Sequence, residues 1–175
     1  ALAGFVGETV PTLAEALKWS RVAGLAVNVE IKDMLGGDDA GLVREVVRLV
    51  RASGMADRVL VSSFRPASLE LFRALCPEVA VGLLLDEKAL AAPTAEILAR
   101  LRDLGAAALH PSVRGLWPGR VGEVRAAGFD VNVYTVNREE DILMLAREGA
   151  TGIITDFPAR TLAVLAGAGA IGAHE

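Results

Sequence analysis

Short runs rich in β-branched residues alternate along this chain with longer stretches whose apolar positions recur every three or four residues. The strand-like runs cover residues 26–31, 58–63, 79–85, 106–110, 130–136 and 152–155. Helix-like stretches fall at 39–52, 66–75, 93–104, 118–127 and 138–148, with another at 11–23 ahead of the first strand and one at 158–166 behind the last. Leu42, Val43, Val46, Val47, Leu49 and Val50 keep the i, i+3, i+4 spacing of one apolar helix face. Thr12 followed by Glu15 predicts a capping box, with Leu13, Leu17 and Trp19 on the buried side of the helix it starts. Gly24, Gly54, Gly105, Gly128 and Gly149 each close a helical stretch, where a left-handed residue is wanted and glycine takes it without strain.

Strands that alternate with helices pair in parallel, and a unit repeating every ~20–30 residues matches a βα barrel. A complete eight-fold barrel takes about 250 residues. The 175 residues here hold six strand-like runs and open on a loop and a helix. The expectation is therefore an α/β fold, an incomplete TIM (β/α)₈ barrel of about six βα units that lacks the first two strands. Residues 1–175 read as one domain, the C-terminal three-quarters of such a barrel.

Composition narrows the partners. Hydrophobic residues make up 53% of the chain and charged residues 23%, so it can build a real core. A net charge of −4 with interleaved signs excludes a basic face for nucleic acid. A phosphorylated small molecule stays compatible, because it needs only one or two cations in a pocket. No apolar run approaches a membrane span, and the first residues lack a signal peptide's basic flank, so a soluble, cytoplasmic protein is expected. Cys76 stands alone among Leu71, Phe72, Leu75 and Val79 and reads as a buried thiol. The two histidines, His110 and His174, build no metal cluster, so a metal here would be a hard cation on carboxylates. His110, at a strand end, reads equally as a pocket group or a satisfied rim histidine; His174 reads as an exposed tail residue.

The first strand carries the most pointed chemistry. Val27, Val29 and Ile31 alternate with Asn28, Glu30 and Lys32, so the polar set shares one face. In a barrel that face points inward, and Glu30 and Lys32 reach the C-terminal end, where barrel enzymes keep their sites. A structural Glu–Lys pair is the plainer reading. Further along, Tyr134 either walls a pocket or plugs the barrel top. Asp156 reads as the cap of the helix that follows it, with Pro158 in its first turn. Ser62 and Ser63 end their strand without a recognisable histidine and acid, which excludes a triad nucleophile.

Several segments in order resemble the glycerophosphodiester phosphodiesterase family. They are Pro11-Thr12-Leu13-Ala14-Glu15-Ala16-Leu17, Asn28-Val29-Glu30-Ile31-Lys32, Val61-Ser62-Ser63-Phe64, Tyr134-Thr135-Val136-Asn137 and Gly152-Ile153-Ile154-Thr155-Asp156-Phe157-Pro158. The resemblance implies a (β/α)₈ barrel hydrolysing glycerophosphodiesters to glycerol 3-phosphate and an alcohol with Mg²⁺ or Ca²⁺. It implies Glu30 as a carboxylate metal ligand and Lys32 as the phosphate contact. Tyr134 stands where the family usually has tryptophan beside the glycerol moiety. The family's His-Arg-Gly, Glu-x-Asp and His-Asp segments have no counterpart here, so these 175 residues alone are expected to be weak or inactive. Open strand edges are expected to drive self-association into a homo-oligomer. Two other readings stay open: an aldolase using Lys32 as a Schiff-base amine, and a non-catalytic module binding phosphate or a partner protein.

Overall fold

The alternation of short and long apolar periods becomes a parallel sheet clad in helices in the computed structural model, which describes residues 7, 9–32 and 39–170. In chain order the elements are α1 (Leu13–Val22), β1 (Val27–Glu30), α2 (Asp39–Ser53), β2 (Val59–Ser63), α3 (Pro66–Leu75), β3 (Ala80–Leu85) and α4 (Thr94–Leu104). Then follow β4 (Ala108–Pro111), α5 (Arg120–Ala126), β5 (Asp130–Val133), α6 (Glu139–Arg147), β6 (Gly152–Ile153) and α7 (Pro158–Gly167). His174 lies outside the described residues.

Each strand pairs in parallel with the one before it, giving the order β1-β2-β3-β4-β5-β6. Sequential parallel neighbours joined through helices build a barrel wall. Among the described residues β1 and β6 each have one strand neighbour, and the architecture is an incomplete (β/α)₈ barrel.

One apolar layer lies between sheet and helices. Val29, Val61, Val81, Leu83, Leu109, Val131 and Val133 come from the strands. Val43, Val46, Val50, Leu69, Phe72, Ile97, Leu101, Val124, Ile142 and Leu145 come from the helices. Burying each such side chain stabilises the fold by about 1.5–3 kcal/mol. Phe72 is fully buried, and its truncation to alanine would remove about 3–5 kcal/mol. Cys76 is fully buried beside it, and burial pushes its thiol pKa up.

The capping box forms: the Glu15 amide donates to Thr12 Oγ1 at 3.3 Å and the Thr12 amide to Glu15 Oε2 at 2.8 Å. Gly24, Gly54, Gly105, Gly128 and Gly149 all take positive φ, as their positions after helices require. Three expectations fail locally. Trp19 is 65% exposed, because Leu17 and Ser20 face the sheet and two residues turn a helix by about 200°. Asp156 caps nothing: its carboxylate accepts from Asn137 Nδ2 at 2.7 Å, while the Phe157 amide takes Thr155 Oγ1 at 3.1 Å. Pro158 at the start of α7 lacks an N–H, so less is left there to cap. β5 and β6 are also shorter than their apolar runs. The pairing persists as irregular hydrogen bonds, Ile154 N–H to Val133 O at 2.8 Å and Val136 N–H to Ile154 O at 2.9 Å.

Candidate active site

Alternation along β1 buries Val29 and Ile31 under the helices and turns Asn28, Glu30 and Lys32 to the inner face. Lys32 Nζ donates to Glu30 Oε1 at 2.7 Å. The Lys32 side chain is 77% exposed and that of Glu30 29%. A pair this exposed contributes at most about 1 kcal/mol, so it opens at little cost when an anion competes for the ammonium. The same exposure removes the desolvation that a Schiff-base lysine needs, which counts against the aldolase reading.

The other inward positions continue the row across the wall. Ser62 is the register partner of Glu30, and Gly82 the partner of Ser62. Gly82 has no side chain, and the His110 imidazole from β4 fills the space: a Cβ there would lie 2.7 Å from His110 Nε2. Asn132 Nδ2 meets that nitrogen at 3.0 Å. In turn the Asn132 amide lies over Gly152, whose Cβ would be 3.0 Å from Asn132 Cγ. Two glycines thus make room for two polar side chains in one layer. A glycine inside a strand signals such an approach; Gly82 sits in the apolar run of residues 79–85 without drawing notice from periodicity alone. His110 is 1% exposed, so it is an interior residue and not a rim one. Burial pushes its pKa down to about 4, against a smaller upward pull from Glu30, so it is neutral at pH 7. Ser63 donates to Ile31 O at 2.8 Å, while Ser62 Oγ and His110 Nδ1 are buried without a hydrogen-bond partner. Neither serine is hydrogen-bonded to a histidine or reaches solvent, so neither is a nucleophile.

Above this layer the strand ends carry an aromatic wall. Tyr134 packs edge-on against Phe64 with centroids 5.9 Å apart, and its hydroxyl donates to Leu85 O at 3.0 Å. Burial, reinforced by Asp86, Glu30 and Glu87, pushes the Tyr134 hydroxyl up to about 12. Tyr134 is half-buried and lines the cavity beside it. Beside it opens a cavity of about 380 Å³ lined by Glu87, Ser112, Arg114, Asn137 and Asp156. Asn137 ties the far side together, accepting from Thr155 Oγ1 and the Asp156 amide at 3.0 Å each. The Phe64 contact and the carboxylates after β3 escape a reading of single strands, because they join segments distant in sequence.

A divalent cation needs several oxygen donors. Among the described residues no group of three or more His, Cys, Asp or Glu side chains can hold a metal ion, so Glu30 alone does not make such a site.

The fold and these strand ends define a βα-barrel protein that presents Glu30 and Lys32 on its inner face at the C-terminal end of β1, with Tyr134 and Phe64 packed together nearby. Residues 2–160 match the model of the glycerophosphoryl diester phosphodiesterase family, and the chain belongs to that family. It is 30% identical over 154 residues to the glycerophosphodiester phosphodiesterase of Caldanaerobacter subterraneus subsp. tengcongensis, covering 88% of this chain and 61% of that one. The Bacillus altitudinis glycerophosphodiester phosphodiesterase is 28% identical over 163 residues, 89% of this chain and 62% of the relative. Among solved structures, an Oleispira antarctica phosphodiesterase in complex with the product sn-glycerol-3-phosphate superposes with a TM-score of 0.80 at 28% identity. That match covers 90% of this chain and 62% of the other. A Parabacteroides distasonis glycerophosphodiester phosphodiesterase gives 0.76 at 25% identity, over 93% and 67%. The chain spans about three-fifths of the length of the curated relatives it matches.

Proposed function

We propose that this chain contributes the phosphate-contacting part of a glycerophosphodiesterase that releases glycerol 3-phosphate and an alcohol. Residues 1–175 are read as one domain of that barrel. The observation that carries the reading is the Glu30–Lys32 pair on the inner face at the C-terminal end of β1. Lys32 would meet the phosphoryl oxygens, where a positive charge favours the charge that builds up in transfer. Tyr134, backed by Phe64, would wall the glycerol moiety. Glu30 would be one carboxylate ligand of Mg²⁺ or Ca²⁺, with the remaining donors outside the described residues.

His110, the one histidine among the described residues, is not read as the proton carrier. His110 is buried and neutral, and its one bonded nitrogen is held by Asn132. General acid–base catalysis contributes roughly 10²–10⁴-fold, so the chain alone is expected to be slow or inactive. No helix of the described residues is long and apolar enough to cross a membrane, and we propose a cytoplasmic protein acting on a small diester, not on nucleic acid. The unpaired edges of β1 and β6, with Ile154 and Leu162 exposed near the latter, would favour self-association; light scattering showing a clean monomer at high concentration would refute this.

A second reading, a non-catalytic phosphate- or partner-binding module, is favoured by the burial of His110, the one histidine among the described residues. The two separate in an assay of glycerol 3-phosphate release from a glycerophosphodiester with and without divalent cation. Weak metal-dependent release, lost in Lys32→Met, supports the hydrolase. Phosphate binding with no turnover at any metal concentration supports the module. Robust release would refute the expectation that this chain is slow.

A further inference from the structure

The cavity beside Tyr134 is left unused by a phosphate contact at Lys32. At about 380 Å³ it falls within the roughly 300–1,000 Å³ of small-molecule sites. It opens past the C-terminal ends of β3, β4, β5 and β6, the end at which β1 presents Lys32, because the strands run parallel. Of its lining side chains only Val113 is aliphatic; Glu87, Ser112, Arg114, Asn137 and Asp156 bring charges and hydrogen-bonding groups.

Ser112 has no structural use for its side chain. It stands two places after the inward-facing His110 in extended backbone and bridges to Tyr134, so alternation turns its side chain to the inner face as well. The residue is 9% exposed. Its amide donates to Leu85 O at 3.0 Å and its carbonyl accepts from the Gly115 amide at 3.2 Å. Its hydroxyl has no hydrogen-bond partner among the described residues. A nearly buried hydroxyl is rarely left unpaired, and this one borders an open cavity.

The charges around it narrow the ligand. Glu87 lies 4.0 Å from Arg114, and Asp156 already accepts from Asn137 Nδ2 at 2.7 Å. Two carboxylates repel an anionic head. One guanidinium among them, with a single aromatic side chain, makes a poor cage for a quaternary ammonium. An alkyl head would desolvate the polar lining without return. A neutral head with several hydroxyls suits every group: its O–H groups donate to the carboxylates, and its oxygens accept from Ser112 and Arg114.

We propose that this cavity is the subsite for the alcohol half of the diester, that the alcohol is a polyol, and that Ser112 and Glu87 determine this specificity. The role of the cavity rests on Lys32 being the phosphate contact. A diester held there by its phosphate would set its glycerol against Tyr134 and Phe64 and extend its alcohol into the cavity.

Calorimetry on the whole chain with two diesters tests this: glycerophosphoinositol, whose alcohol is a polyol, and glycerophosphocholine, whose alcohol carries a quaternary ammonium. The wild type should bind the first about tenfold more tightly. Ser112→Ala removes a hydroxyl that holds nothing in the fold, and Glu87→Gln changes a rim residue, so both variants should keep the wild-type urea midpoint. Each should reduce the ratio several-fold and leave glycerophosphocholine unchanged. Equal affinity of the wild type for the two diesters overturns the proposal, as does an equal loss for both in Ser112→Ala. Lys32→Met should weaken both diesters by the same factor; if it weakens neither, the phosphate reading fails while the ratio still decides the cavity. Amide NMR separates the two halves of the diester. Free inositol should shift Ser112 and Asn137, whereas glycerol 3-phosphate should leave them in place. Equal shifts with glycerol 3-phosphate would assign the cavity to the glycerol half and overturn the proposal. If the wild type binds neither diester, free inositol decides: shifts at Ser112 support the polyol subsite and their absence overturns it.

Discussion

Gly82 gives the inner layer its sharpest test. The residue lies mid-strand in β3 without a positive φ, so alanine meets no backbone strain. Its Cβ would, however, stand 2.7 Å from His110 Nε2, 3.0 Å from His110 Cδ2 and 3.2 Å from Leu60 Cδ2. The imidazole is wedged, and moving it breaks the 3.0 Å contact with Asn132. Overpacking of this kind costs about 1–3 kcal/mol. The polar groups released in a buried layer add about 1–3 kcal/mol. Alanine in a strand returns roughly 0.5–1 kcal/mol over glycine. Gly82→Ala should therefore destabilise the fold by about 2–4 kcal/mol. In a His110→Ala background the main clash is gone, and the same change should be close to neutral. Urea unfolding followed by circular dichroism, run on both single variants and the double, gives the coupling directly. If Gly82→Ala costs the same in both backgrounds within about 0.5 kcal/mol, the wedged imidazole is not the cause and the reasoning fails.

Other outcomes follow from the same structure. His110 has a folded pKa depressed to about 4 from its ordinary 6.5, so its contribution to stability is full above pH 6.5 and is lost as pH falls toward 4. At about 1.36 kcal/mol per pH unit the whole effect is about 3 kcal/mol; urea midpoints of wild type should fall across that window and flatten in His110→Gln. Arg120 is fully buried over the Trp117 ring and donates to Leu90 O and, at 2.8 Å, to Ala92 O, tying α5 to the turn after β3. Arg120→Ala strands both carbonyls and should cost about 2–4 kcal/mol by denaturant unfolding, whereas Arg114→Ala at an exposed rim position should change little. Cys76 should resist a thiol reagent until the protein unfolds; fast labelling under native conditions would contradict its burial. Calorimetry should find Mg²⁺ or Ca²⁺ binding to this chain no tighter than millimolar, since among the described residues Glu30 belongs to no group of three or more ligating side chains; submillimolar binding would contradict this.

Much of this fold was legible as period. The run of residues 66–75 opens on proline and ends before Cys76, and it became α3 with those bounds. The alternation of residues 27–32 decides which side chains face inward, so the sequence alone puts Glu30 and Lys32 on one face at the end of that strand. What periodicity does not encode is the company a residue keeps. Trp19 looks like a core residue by type, yet its helical angle points it to solvent. Asp156 looks like a cap by position, yet Asn137, 19 residues away, offers it a better donor. The pairing of His110 with Asn132 depends on Gly82 and Gly152 being small on neighbouring strands, a fact about register and not about any one segment.

The central claim is that Lys32 at the end of β1 is the chain's contact for a phosphorylated ligand. Its most direct test is calorimetric titration of glycerol 3-phosphate into wild type and Lys32→Met. Losing a charge-assisted bond of about 1.5–3 kcal/mol should weaken binding by roughly ten- to a hundredfold in the variant. Equal affinity in the two proteins would contradict the account.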